Sequence, residues 1–215
     1  MYWAFAPYVA IAALYLACMR RESGLLRALK PLLMPSLLAG YLMLGDAQTL
    51  IALGLALGFA GDVALMLPRG RGLLAGMGAF MLGHLMYTAY FCVQLGGAPS
   101  PWTLAYALAA AGVGVGLYRH LRAALGGMKL PVLLYEAVIL FMSVCAFALL
   151  IARPGAASAL MWLGSVSFVV SDSLLAHGLF IGSSRRGRFL VMLTYTAAQL
   201  GIAVGAWQMA AGAAL

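Results

Sequence analysis

Charge is what this sequence has least of. Only 8% of its 215 residues are Asp, Glu, Lys or Arg, against roughly 25% in a soluble globular domain. Acids are scarce, five against thirteen Lys/Arg, with three His besides. The hydrophobic share is 65%, where soluble chains carry about 45–50%, and the mean hydropathy is +1.02. That balance excludes a soluble enzyme and a disordered chain. The net charge of +8 would suit nucleic acid if the cations formed a patch, but they sit between apolar runs, so no nucleic-acid partner is expected. Cysteine is nearly absent too: Cys18, Cys92 and Cys145 all fall inside apolar runs, with no disulfide or metal-site spacing. Neither GxSxG nor HExxH occurs, which removes the nucleophile elbow and the zinc-protease helix. No basic stretch precedes the first apolar run, which ends at Arg20-Arg21 rather than at small residues, so a cleaved leader is not expected.

What the sequence has is apolar runs. A helix needs about 20 apolar residues to cross a bilayer core, and the chain offers eight such runs: 2–19, 31–45, 47–67, 73–95, 102–118, 130–151, 157–181 and 189–213. The expected fold is all-α, a polytopic membrane bundle of eight transmembrane helices forming a single domain over 1–215. The second run is short and carries Pro31 and Pro35, so it is expected to tilt, break or re-enter. Basic residues orient the chain. The odd-numbered connections hold twelve Lys/Arg and the even-numbered ones hold only Arg153, which puts the odd loops in the cytoplasm and both termini outside. The location this implies is a multi-pass protein of the bacterial inner (cytoplasmic) membrane.

A weak duplication is visible. Lys30-Pro31-Leu32-Leu33 opens the second run, and Lys129-Leu130-Pro131-Val132-Leu133 opens the sixth. Gly61-Asp62 and Ser171-Asp172 fall late in the third and seventh. A parallel four-plus-four repeat explains both pairings; chance in a low-diversity apolar sequence explains them as well.

The five acids divide by place. Glu22 and Asp46 fall in connections and are expected to be solvated. Asp62, Glu136 and Asp172 fall inside runs, where a carboxylate costs several kcal/mol and marks a functional site by default. At 1.5 Å per residue, Asp62 and Glu136 lie about 9–10 Å from the cytoplasmic edge, Tyr195 about 10 Å, Asp172 about 15 Å and His84 about 18 Å. These depths overlap in one leaflet, which suggests a single cavity open to the cytoplasm. Phe80, Gly83, His84 and Tyr87 share one helical face, as do Tyr195 and Gln199. Small Gly83 would let another helix approach His84. A satisfied structural histidine explains His84 about as well as a functional one, and interhelical hydrogen bonding explains Tyr195 or Gln199 alone. Three intramembrane acids are harder to explain by structure. His120 is expected in a loop, and His177 near the interface.

The same residues carry a family resemblance. Lys30-Pro31-Leu32-Leu33-Met34-Pro35, Gly61-Asp62-Val63-Ala64-Leu65-Met66-Leu67, Phe80-Met81-Leu82-Gly83-His84-Leu85-Met86-Tyr87, Ser171-Asp172-Ser173-Leu174-Leu175-Ala176 and Tyr195-Thr196-Ala197-Ala198-Gln199 stand in order over 30–199. In these stretches the chain resembles the YhhN family of membrane proteins, whose characterised animal members are lysoplasmalogenases. The resemblance implies an ether hydrolase that cleaves the vinyl ether bond of a 1-alkenyl-glycerophosphocholine or -ethanolamine, giving a fatty aldehyde and the glycerophospho-base. Its partners would be that lysophospholipid and the membrane lipid.

The residues suit that chemistry. Vinyl ether hydrolysis starts with protonation of the β-carbon and continues with attack of water on an oxocarbenium-like cation. It needs one carboxyl that stays neutral at pH 7 and one carboxylate, as glycoside hydrolysis does. Burial and a nearby second carboxylate both favour a neutral carboxyl. Asp62 and Asp172 are the expected catalytic pair, without metal or cofactor. His84, Tyr87, Glu136, Tyr195 and Gln199 are the expected supporting residues. Lys30, at the mouth of the second run, is the candidate phosphate anchor, although an ordinary snorkelling lysine fits it nearly as well. Two other functions compete. An intramembrane aspartyl protease also uses two Asp, but Phe59-Ala60-Gly61-Asp62 lacks the first Gly of its GxGD motif. A proton-coupled lipid or small-molecule transporter would use Asp62, Glu136, Asp172 and His84 as a relay.

Overall fold

A computed structural model describes residues 2–21, 24–67 and 69–213, with the backbone alone described for Arg20, Arg21, Arg69, Gly70, Arg71 and Ala213. Glu22, expected from the sequence to be solvated, lies outside the described residues. Among the described residues the chain is all-helical. Its helices are α1 (Ala6–Arg21), α2 (Leu26–Leu42), α3 (Thr49–Leu65), α4 (Arg69–Leu95), α5 (Pro101–Leu121), α6 (Lys129–Ala152), α7 (Ala156–Phe180) and α8 (Arg185–Ala213). Each falls on one of the eight apolar runs. Single turns of 3₁₀ helix at Tyr2–Phe5 and Gly126–Met128 precede α1 and α6.

The helices differ in reach. Six segments, those carrying α1 and α4 through α8, are long and apolar enough to cross a bilayer, so the chain is an integral multi-pass membrane protein. The 17 residues of α3 rise only about 25 Å, short of the roughly 30 Å hydrocarbon core. The 17-residue α2 has the same length and runs unbroken through Pro31 and Pro35. Because Pro35 sits four residues after Pro31, the amide it lacks is the one that would have bonded the Pro31 carbonyl. Two rungs are lost and the rest hold, with the Ser36 hydroxyl donating to the Leu33 carbonyl at 2.7 Å. Two boundaries differ from the sequence expectation. Lys30 lies inside α2 rather than ahead of it, and His120 lies in the last turn of α5 rather than in a loop.

The backbone packs as two compact units. The first is residues 1–87 with 206–215, and holds α1, α2, α3 and most of α4. Here α2 packs on α1 and on α3. Close approach needs glycine: a Cβ on Gly40 would lie 2.2 Å from the Ala4 carbonyl oxygen. The backbone amide of Gln48 donates to the buried Tyr41 hydroxyl at 3.0 Å and fixes the α2–α3 turn. Gly54, Gly58 and Gly61 form one stripe on α3, and a Cβ on Gly83 of α4 would lie 3.2 Å from the Gly54 carbonyl oxygen. With no hydrophobic drive between helices in lipid, such small-residue faces let backbones meet.

The second unit is residues 88–205. Within it α5 packs on α6 and α6 on α7. Tyr106 of α5 stacks on Phe147 of α6 at 4.4 Å between ring centroids, and its hydroxyl lies 2.8 Å from that of Ser143. Ser165 of α7 extends the link, donating to Ser143 at 3.2 Å. The Ser171 hydroxyl donates to the Val191 carbonyl at 3.1 Å and joins α7 to α8.

Candidate functional site

In the first unit the acid within an apolar run is Asp62, 4% exposed in the last turns of α3. The preceding Gly61 faces α4, where a Cβ would lie 2.7 Å from the Phe80 ring, so the Gly-Asp step brings α3 close to α4 at the level of the carboxylate. Tyr8 and Tyr15, one face of α1, lie within electrostatic reach of the Asp62 carboxylate. Both tyrosines are buried. Sequence reasoning missed them, although two tyrosines seven residues apart in an apolar run were the available signal. His84 is 1% exposed. Tyr87 is buried against α3, its ring 2.2 Å from where a Gly54 Cβ would stand. Lys30 is half-buried in the second turn of α2.

In the second unit Asp172 is half-buried on α7, and the Tyr135 hydroxyl of α6 donates to its Oδ2. Tyr135 was also missed. It precedes Glu136 in Leu133-Leu134-Tyr135-Glu136, where an aromatic among leucines reads as packing. A hydroxyl beside a membrane carboxylate can hold it in place or pass a proton. Glu136 projects elsewhere, buried against Gly114 of α5, and neither of its carboxyl oxygens has a hydrogen-bond partner. Tyr195 and Gln199 do meet, the Gln199 amide donating to the Tyr195 hydroxyl at 3.4 Å. The Phe168 ring packs edge-on to Tyr195 at 5.9 Å.

The histidines outside this set also pair. His120 of α5 and His177 of α7 stack with ring centroids 5.4 Å apart, and Nε2 of one lies 3.2 Å from Nδ1 of the other. Among the described residues no three His, Cys, Asp or Glu side chains converge as a metal site would require.

The YhhN family model matches residues 25–206, more than four-fifths of the chain, and the chain belongs to that family. Every motif quoted above lies inside the matched region. No curated protein and no solved structure matches the chain.

Proposed function

We propose that this member of the YhhN family hydrolyses the vinyl ether bond of a lysoplasmalogen. A carboxylic acid protonates the β-carbon of the alkenyl chain, a carboxylate takes a proton from water as it adds to the cation, and the hemiacetal collapses to fatty aldehyde and glycerophospho-base. Asp62 and Asp172 are assigned the acid and base roles. The observation that supports the reading is that both motif aspartates lie within apolar helices with tyrosines close to them: Tyr8 and Tyr15 within electrostatic reach of Asp62, and the Tyr135 hydroxyl donating to Asp172. Carboxylates so placed cost too much to keep for packing alone. His84, Tyr87, Tyr195 and Gln199 are assigned to supporting the site, and Lys30 to the phosphate.

Purified protein incubated with 1-alkenyl-glycerophosphoethanolamine should release one fatty aldehyde per lipid consumed, measured by hydrazone trapping. No aldehyde from any alkenyl lysolipid, together with substrate-dependent proton flux in liposomes, would replace the hydrolase with a transporter.

We further read all eight helices as crossings, with the short α2 and α3 accommodated by local thinning of the bilayer, in a bacterial inner membrane. Twelve basic residues against one across alternate connections support this. A reporter that is active only in the cytoplasm should be silent when fused after Leu215 and active in the connection carrying Arg185, Arg186 and Arg188. Activity after Leu215 would mean an odd number of crossings.

A further inference from the structure

Between α5 and α6 lies a groove of about 580 Å³. Its walls are Ala107, Ala111, Leu140 and Phe141, and Arg119 and Arg122 line one end. The α5 side is one helical face, Ala107, Ala111, Gly114, Tyr118 and Arg122, and it extends about 22 Å at 1.5 Å per residue. That exceeds one leaflet of hydrocarbon, about 15 Å. The groove therefore has the dimensions of a lipid lying with its head at the arginines. Only 6% of the α5 span is buried, so entry from the bilayer is direct.

Glu136 lies partway along, 8% exposed, with neither carboxyl oxygen hydrogen-bonded. Gly114 makes room beside it: a Cβ there would sit 3.5 Å from Oε1 and 2.7 Å from Leu140. A buried carboxyl without a donor is costly, and a ligand that supplies a hydroxyl would relieve it. Five residues separate Gly114 from Arg119, about 7.5 Å of rise, so a phosphate at the arginines puts a glycerol backbone within reach of Glu136. A methylene takes about the room of a water molecule, roughly 30 Å³, so 580 Å³ holds about nineteen such groups. That is one chain with its glycerol.

We propose that the α5–α6 groove binds a single-chain phospholipid, with Arg119 and Arg122 on the phosphate and Glu136 accepting a hydrogen bond from the free sn-2 hydroxyl. Glu136 is then the residue that separates lysolipids from diacyl lipids, which have no hydroxyl there. Substrate binding at the Asp pair, with Lys30 on its phosphate, is a separate proposal, and lipid binding in the groove does not rest on it.

The test uses a 1-O-alkyl-glycerophosphocholine, which has no vinyl ether to cleave, and its 2-O-methyl counterpart, with binding to detergent-purified protein followed by native mass spectrometry. The native chain should prefer the free hydroxyl by about tenfold, the cost of leaving a buried polar group without its partner. Glu136→Leu should abolish the preference. Arg119→Gln with Arg122→Gln should weaken both lipids together by about tenfold, the usual worth of a charge-assisted contact. Equal affinity for the two lipids in the native chain would overturn the role of Glu136. Unchanged affinity in the double arginine variant would overturn the groove. A photoactivatable alkyl lysolipid, which needs no variant, should label α5 and α6; label confined to other helices would also overturn it. Tight, hydroxyl-dependent binding without aldehyde from the alkenyl lipid would leave the groove standing and remove the hydrolase.

Discussion

Asp62→Asn and Asp172→Asn should each lower aldehyde release by roughly two to four orders of magnitude, the usual worth of general acid–base catalysis. Asparagine keeps the volume and hydrogen-bonding capacity of aspartate and removes the titratable proton and the charge. Burying an amide costs no more than burying a carboxylate, so yield and thermal stability should hold. Tyr135→Phe provides a graded companion: it deletes the hydroxyl that donates to Asp172 and keeps the ring. A loss of roughly 10- to 100-fold is expected there, corresponding to a hydrogen bond to a charged group. If the acids served only the fold, the pattern would invert, with protein yield falling and specific activity retained. Native turnover in both Asp variants, on a lipid the parent cleaves, would end the acid–base assignment.

Much of the helix layout is legible in the sequence because a bilayer asks little more than length and apolarity. Each of the eight runs carries a helix, and the connections were found where Gly, Pro and basic residues interrupt them. The errors came where a helix outruns its apolar stretch. Leu26 through Lys30 belong to α2 although Arg27 and Lys30 looked like loop, because helix hydrogen bonds continue past the hydrocarbon edge and long cationic side chains snorkel. The same effect put His120 inside α5, where it meets His177.

For the site, single residues were legible and their neighbours were not. Asp62, Glu136 and Asp172 stand out because a carboxylate in an apolar run is conspicuous. The tyrosines near them do not, since tyrosine is at home in membrane helices and only tertiary structure puts Tyr8 and Tyr15 within electrostatic reach of Asp62 and the Tyr135 hydroxyl on Asp172. The α5 groove was also hidden. Its face is mostly alanine and glycine, and small residues in a membrane helix read equally well as a packing surface, as bulk lipid contact or as the floor of a binding groove. Sequence spacing put Glu136 at nearly the depth of Asp62, yet the structure seats it against Gly114 with no hydrogen-bonding partner. Depth along a helix does not fix which way a side chain faces.

Two glycine-to-alanine changes of identical chemistry should have opposite effects. On α8, a Cβ at Gly205 would stand 2.5 Å from the Ala157 carbonyl oxygen and 3.2 Å from the Met161 amide nitrogen. Those are backbone atoms of α7, so no rotamer change can clear them. Gly164 and Gly201 make the same contact a turn or more away: a Cβ on Gly164 would meet the Ala198 carbonyl oxygen at 2.9 Å, and one on Gly201 the Leu160 carbonyl oxygen at 3.1 Å. The two helices therefore touch along a glycine seam and cannot separate at one point alone. Gly205→Ala should cost about 1–3 kcal/mol as an overpacked interface, or roughly 2–4 °C in Tm for each kcal/mol in a chain of this size. Gly112→Ala on α5 meets nothing within 4 Å. It should be neutral or stabilise by about 0.5–1 kcal/mol, through the backbone entropy that glycine forfeits in a helix. Thermal unfolding of the detergent-solubilised protein, followed by tryptophan fluorescence, would compare the two. Equal shifts for both would mean that α7 and α8 do not approach as closely as the Gly164–Gly201–Gly205 contacts require.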